Sequence, residues 1–175
     1  MLRELTWSAL LLVVIVTAVP AIAVAEPALD AQQVQADVEH LLRATYSGDV
    51  DSVLSFTHPS IIEMMGGREA AHSVTAQAFQ HIARLGMNLE SLSFPQAPEF
   101  LEGGGKDFAI VPTLILLTAN GQKLESGNFQ FGVRDKGSSA WHYIEGSRMT
   151  QDIAQRLFPG FPSEYHFPET YRRKL

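Results

Sequence analysis

The spacing of apolar residues divides the chain into a helical first half and a strand-rich second half. Apolar side chains recur every three or four residues over 29–47, 50–57 and 68–85, which predicts three helices. From residue 87 onward, short apolar or alternating runs stand between glycine, proline and asparagine turns, as in antiparallel strands. Five strands are predicted, over 87–94, 97–103, 106–119, 122–135 and 139–149.

The predicted helices have recognisable ends. We expect Asp30 to cap the first helix and Asp49 the second, because a side-chain oxygen satisfies free N–H groups at a helix start. Gly48 is expected to end the first helix, since a left-handed closing residue is cheap only for glycine. The third helix is predicted to begin at Arg68 and end at Gly86. Its buried face is expected to contain Val74, Ala78, Ile82 and Leu85, with Phe79 beside them.

Three shorter signals refine this pattern. The segment SIIEMM, 60–65, is predicted to be a short strand ended by two glycines. Asn120 and Gly121 predict a tight hairpin, because both central residues of such a turn adopt positive φ. Pro112 has no N–H to donate, so it is expected to mark a bulge or bend in the long strand.

These elements predict one α+β domain, with three N-terminal helices packed in a strongly curved antiparallel sheet. The strand 106–119 is apolar on both faces, whereas a strand with one wet face usually alternates. Its outer face is therefore expected to be covered, either by the proline- and aromatic-rich C-terminal tail from about residue 158 or by a second subunit.

The first 25 residues resemble a cleavable secretory signal. Arg3 precedes an apolar run, and the segment ends in small residues with the pattern Ala23-Val24-Ala25. We expect cleavage after Ala25, which leaves a single domain over 26–175 and an exported protein, periplasmic or secreted, without membrane insertion. An uncleaved anchor is the alternative, because the run is almost long enough to span a bilayer.

Composition and motif spacing exclude several classes. The absence of cysteine excludes disulfides, thiolate metal sites and cysteine nucleophiles. The net charge of -6 is spread without basic blocks, so no nucleic-acid partner is expected. No nucleophile elbow, dinucleotide fingerprint or zinc-protease spacing occurs, so neither a cofactor nor a metal is predicted.

The order of elements resembles the nuclear transport factor 2-like superfamily. The segment YSGDVDSVLSFTHPSIIEMMGG and the late strand WHYIEG carry the likeness, which covers essentially all of 26–175. It looks most like small exported bacterial members of unassigned function. The resemblance implies a cone whose sheet wraps around the long helices and leaves a pocket at the wide end. Ketosteroid isomerases, SnoaL-like cyclases, dehydratases and pure binding proteins share this fold, so the fold selects no function.

Glu63 is the first catalytic candidate. Its place before the glycines is similar to that of the aspartate base of ketosteroid isomerase. Among apolar neighbours it would be desolvated, and its pKa would rise toward a useful range for a general base. The alternative is a carboxylate that faces solvent or pairs with Arg68. The oxyanion tyrosine of that family falls on Leu41 here, a departure that counts against isomerase chemistry.

His58 is the second catalytic candidate, although its position before Pro59 equally favours a structural role at a chain corner. On the last strand one face carries two aromatic residues and a glutamate, which form either core or the wall of a pocket. The ligand-binding candidates are Tyr46, Met65, Arg134, Trp141, Tyr143 and Glu145, with Arg134 as the natural partner of an anion.

Three functions follow. The first is an exported domain that binds a small, largely apolar ligand or a protein, without chemistry. The second is a cofactor-free isomerase, dehydratase or cyclase that uses Glu63 as general base, assisted by His58 or Glu145. The third is a scaffold that assembles as a homodimer through the outer sheet face.

Overall fold

The computed structural model describes residues 26–175, and the predicted signal segment 1–25 lies outside the described residues. Helices come first and an antiparallel sheet follows, which confirms the α+β class. The elements are α1 (Glu26–Ser47), α2 (Val50–Phe56), α3 (Pro59–Met64), α4 (Arg68–Arg84), β1 (Asn88–Ser93), β2 (Glu99–Gly103), β3 (Lys106–Ala119), β4 (Gln122–Asp135), β5 (His142–Glu145), a 3-10 turn (Gly146–Arg148), α5 (Gln151–Leu157) and β6 (Tyr171–Lys174). No helix within 26–175 has the length and apolarity needed to cross a membrane.

The junction between α1 and α2 follows the prediction, whereas the start of α1 does not. Gly48 has a φ of 82°, and the carboxylate of Asp49 accepts a hydrogen bond from the Ser52 N–H at 3.1 Å. Asp30 lies inside α1, so its prediction as a cap is wrong. Its carboxylate is bound by Arg134 of β4. Asp30 thus forms a long-range ion pair, although the local sequence predicts that it caps the helix.

The strand predicted over 60–65 is wrong, because this segment forms the helix α3. Pro59 occupies the first turn, where its missing N–H costs nothing, and His58 Nδ1 accepts a hydrogen bond from the Ser60 N–H at 3.2 Å. A short apolar run fits either a strand or a helix, and here the proline and the cap select the helix. Four helices therefore precede the sheet, where three were predicted.

The third predicted helix exists as α4, but its buried face differs from the prediction. Ile82 and Leu85 are half-buried, as is Phe79 beside them, whereas Val74 and Ala78 are exposed. Ala71, which was not predicted to be buried, is fully buried. The predicted stripe is therefore wrong at Val74 and Ala78. Apolar residues occur around much of α4, so periodicity alone does not say which of them faces the sheet.

The hairpin of β3 and β4 forms the centre of a six-stranded antiparallel sheet. Asn120 and Gly121 both have positive φ, as predicted, and the two strands pair from end to end. β2 and β1 share the free edge of β3, one along each half, and β5 and β6 share the free edge of β4 in the same way. Pairing with β4 continues through Pro112, so no bulge occurs there. Pro112 falls between the β2 and β1 stretches, where the outer ladder is interrupted.

Each face of the hairpin packs in its own hydrophobic core. The inner face meets α1, with Val34 and Val38 against Val111 and Leu117 of β3. The outer face is covered by α5 and by the C-terminal tail, residues 158–175, which confirms the predicted covering by a tail. Its largest buried residues are Phe108, Phe129, Phe131, Phe158 and Phe161.

Removal of a tail aromatic is expected to destabilise the whole domain. Phe161 is buried and its ring lies 5.0 Å from Phe108 and 5.5 Å from Phe131, measured between ring centroids. We expect Phe161→Ala to lower the free energy of unfolding by about 3–5 kcal/mol in urea titration. The control Leu175→Ala, at a residue 65% exposed, should change it by less than about 0.5 kcal/mol. Equal stability of both variants and the parent would show that the tail is not part of the core.

Candidate functional site

A cavity of about 720 Å³ lies between the inner face of the sheet and the helices. The helical wall is mainly apolar and comprises Leu41, Leu42, Thr45, Tyr46, Val53, Thr57, Ile61, Met65 and Phe79. The sheet contributes Thr113, Ile115, Ser126, Asn128, Gln130, Tyr143, Ile144 and Glu145, and the rim is completed by Ser147, Arg148 and Arg172. A cavity of this size is within the range of small-molecule sites.

Strand alternation brings polar side chains to the cavity floor. Along β4, Ser126, Asn128 and Gln130 face inward, while Phe129 and Phe131 face the outer core. Gln130 is only 3% exposed and lines the cavity. A buried amide is costly to leave without a hydrogen bond, so the floor at Gln130 favours a ligand or water that can pair with it.

Two tyrosines line the cavity, and they differ in the hydrogen bonding of their hydroxyl groups. The Tyr143 hydroxyl donates to Asp37 of α1 at 3.0 Å, and burial, with the nearby Asp37 charge, raises the Tyr143 pKa far above its ordinary value. The Tyr46 hydroxyl has no hydrogen-bond partner in the described chain. Burial raises the Tyr46 pKa, while the charges of Arg172 and Glu145 act on it in opposite directions. Tyr46 therefore offers a protonated, unengaged hydroxyl at neutral pH.

The only carboxylate among the described cavity residues is already engaged. Glu145 accepts hydrogen bonds from the Ser147 N–H at 3.1 Å, from the Ser147 hydroxyl at 2.6 Å and from the Asn128 amide. These contacts cap the 3-10 turn after β5. Glu145 thus shapes the mouth of the cavity and has few free positions with which to accept a substrate proton.

The structure brings four of the eight predicted site residues to the cavity. Tyr46, Met65, Tyr143 and Glu145 line it. Glu63, His58, Arg134 and Trp141 are not among its lining residues.

Glu63 is exposed on α3, so the expected desolvation by apolar neighbours is wrong. The side chain predicted to sit on a strand among apolar groups is on the solvent side of a short helix. The solvent-facing carboxylate that formed the alternative is seen, but the pairing with Arg68 is not, because the carboxylate near Arg68 is Asp51, at 3.9 Å.

Arg134 and Trp141 form a structural cluster at one end of the sheet. Arg134 binds both oxygens of Asp30 at 2.8 Å, donates to Asp107 at 2.9 Å and lies 4.5 Å from the centre of the Trp141 ring. Its hydrogen bonds to Asp30 raise the Arg134 pKa further. Arg134 joins α1 to the sheet and is not free to bind the anion predicted for it.

His58 holds the chain corner between α2 and α3. Its N–H donates to the Tyr143 carbonyl at 3.2 Å, and its ring packs edge-on against Phe158 of the tail with centroids 5.1 Å apart. Burial, together with the neighbouring His142 and Lys106 charges, lowers the His58 pKa from 6.5 to about 4, against an opposing influence of Asp135. A neutral, packed imidazole fits the structural role.

The sequence interpretation missed several cavity residues. Thr113 carries a weak signal, as a single polar residue within an apolar strand. Arg148 and Arg172 carry none, since only the fold brings the 3-10 turn and the tail to one mouth. Within the described chain, no three histidine or acidic residues are grouped closely enough to hold a metal ion.

Comparisons with models of known protein families, with curated proteins and with solved structures gave no match.

The lowered pKa predicts how acid affects stability. The unfolded chain takes up a proton at His58 near pH 6.5, and the folded chain takes it up only near pH 4. Protonation therefore favours the unfolded chain, so the free energy of unfolding is highest above pH 6.5 and decreases as the pH falls toward 4. For a half-exposed ring we expect a loss of about 1–2 kcal/mol. His58→Asn keeps a capping oxygen and should flatten the stability profile between these pH values in urea titrations.

The matched control is His72→Asn on the exposed side of α4, which should leave that profile unchanged. A parent protein whose pH dependence coincides with that of His58→Asn would contradict the assignment.

Proposed function

We propose that this protein binds a small, largely apolar ligand in the cavity between its helices and its sheet, and that its fold is the nuclear transport factor 2-like cone. The cavity of about 720 Å³ carries the proposal. Its supports are a mainly apolar lining, a preformed shape and a few converging polar groups, which together characterise ligand sites.

The distribution of polarity favours an amphipathic ligand. Leu41, Leu42, Ile61 and Phe79 supply the apolar wall, while the Gln130 amide and the Tyr46 hydroxyl supply isolated hydrogen-bonding groups. Binding would release water from the apolar wall and pair these groups. The ligand is therefore expected to have an apolar body that carries one or two polar atoms.

Binding without chemistry is favoured over the isomerase, dehydratase or cyclase hypothesis. That hypothesis requires Glu63 as a desolvated base, and Glu63 is exposed and away from the cavity lining. Glu145 is held by Ser147 and Asn128.

The dimeric scaffold has less surface available than the sequence suggests. The tail packs on the outer face around Phe131. The half-buried Leu114 and Leu116 remain toward the other end of β3, where a second subunit would have to bind.

We also propose that the protein is exported and that cleavage after Ala25 precedes folding. The support is the charged start, apolar run and small-residue ending of residues 1–25. N-terminal sequencing of protein recovered from the exported fraction is expected to begin at Glu26. Recovery of the chain only in membranes, with Met1 still present, would indicate an anchor.

A bulky side chain at the cavity wall is expected to block binding. Met65 lines the cavity, whereas the adjacent Met64 is 65% exposed and outside it. The neutral fluorescent dye phenylnaphthylamine is expected to bind the parent, and Met65→Trp should weaken this binding at least about fivefold because it fills the space. Met64→Trp is the matched control and should bind within about twofold of the parent. No saturable dye binding to the parent, or equal binding by all three proteins, would contradict the proposed site.

A further inference from the structure

We infer that the ligand of this cavity carries an anionic group, which Arg148 and Arg172 bind at the mouth while its apolar body lies inside. This inference rests on the proposed binding function and adds the chemical class of the ligand, an amphipathic molecule with one oxyanion head such as a carboxylate, sulfonate or phosphate.

The first observation is that both mouth arginines lack carboxylate partners. Arg148 ends the 3-10 turn after β5, and Arg172 lies on β6. Both are exposed, both line the cavity, and neither has an acidic oxygen within 4 Å in the described chain. By contrast, Arg134 and Arg173 are both paired with carboxylates. Guanidinium groups without a partner beside a cavity are suited to bind an oxyanion through paired N–H donors.

The second observation is the sign of the local charge. The ionised residues of the cavity are two arginines and one glutamate, a sum of +2 and -1, or +1, on a chain with a formal charge of -6. Glu145 directs both oxygens to Asn128 and Ser147, so it does not neutralise either arginine by direct contact. The mouth is thus locally positive on an acidic protein, which favours the entry of an anion.

The third observation places the head and the body of the ligand. Arg148 and Arg172 are exposed at the rim, whereas Gln130 is buried on the cavity floor. The helical wall between these levels is apolar. An anion held at the rim keeps part of its hydration, so it avoids most of the desolvation penalty that a deep charge would suffer. The Gln130 amide and the Tyr46 hydroxyl are left for a neutral polar atom on the body.

Two dyes that differ by one sulfonate test this inference. Phenylnaphthylamine is neutral, and anilinonaphthalene sulfonate is the same ring system with a single anionic group. We expect the parent to bind the sulfonate about tenfold more tightly than the neutral dye, in fluorescence titrations at low ionic strength. The double variant R148Q/R172Q should bring the two affinities within about twofold, and the neutral dye should bind it as it binds the parent.

The control Arg156→Gln removes the same charge from an exposed arginine of α5 that does not line the cavity. It should leave both affinities unchanged, and melting temperatures establish that all variants are folded. The inference is overturned if Arg156→Gln weakens sulfonate binding as much as R148Q/R172Q does, or if the parent binds the sulfonate no more tightly than the neutral dye. In both cases, saturable binding of the neutral dye would still support the proposed function. Absence of saturable binding by both dyes overturns the proposed function and the inference together.

Displacement of the neutral dye then separates the sources of the anion. Dodecanoate and dodecyl phosphate carry different heads on one chain, and dodecanol lacks the charge. The inference expects at least one of the two anions to displace the dye at a concentration about tenfold lower than dodecanol does, and only when both arginines are present. Equal displacement by all three compounds would overturn it.

Discussion

The rest of the structure depends on one constraint, which is that β3, the first strand of the long central hairpin, is apolar on both faces. Phe108 and Ile110 face one side of β3, and Ala109 and Val111 face the other. A strand of this kind is stable in water only if both faces are covered. The chain meets this need by placing α1 against the inner face and α5 with the tail against the outer face, so segments from both ends of the domain converge on its centre.

The cavity follows from how the inner face is covered. α1 packs directly on β3 through Val34 and Val38, and Arg134 fixes Asp30 of the same helix to the sheet. Elsewhere along the same face, small or polar groups such as Thr113 and Ser126 replace large apolar side chains. α2 packs on α1 and β5, α4 packs on α1 and α2, and α3 packs on α4. These helices therefore cover this stretch of the sheet without filling the space above it. Because the side chains on this part of the sheet are small and the helices above do not reach it, space remains for a ligand.

The sequence predicts those features that depend on local patterns. The period of strands and helices, the Asp49 cap and the two-sided apolar character of 106–119 were sufficient for the α+β class and for a covered outer face, although they did not choose between the tail and a second subunit. The prediction of elements and buried faces is wrong where the local pattern fits two structures equally well. Residues 60–65 are too short to separate helix from strand, and α4 has apolar residues on more than one side, so the buried face depends on the packing of Phe79 and Ile82.

The site was predictable only in part, for a related reason. Tyr143 and Glu145 were found because strand alternation places them on one face, and Tyr46 lies at the end of a helix whose stripe is clear. Arg134 was assigned to a ligand because nothing local indicates that Asp30, more than a hundred residues earlier, occupies its guanidinium. The sequence does not show whether an arginine has a carboxylate partner, because the partner can be far away along the chain. Only the fold shows which arginines are paired.

The mouth of the cavity connects the tail with the binding site. β6 pairs with β4 at Leu124–Gly127, and the Tyr171 ring lies so close to Gly127 that a Cβ there would overlap it. The Ser126 hydroxyl donates to the Tyr171 carbonyl at 3.3 Å, and this contact sets the position of the next residue, Arg172. The segment that covers the outer face therefore also supplies a cation to the cavity on the inner face. Since the pairing of β6 with β4 places Arg172 at the mouth, where the inferred anion would bind it, that pairing and anion binding are expected to favour each other, as linked equilibria must.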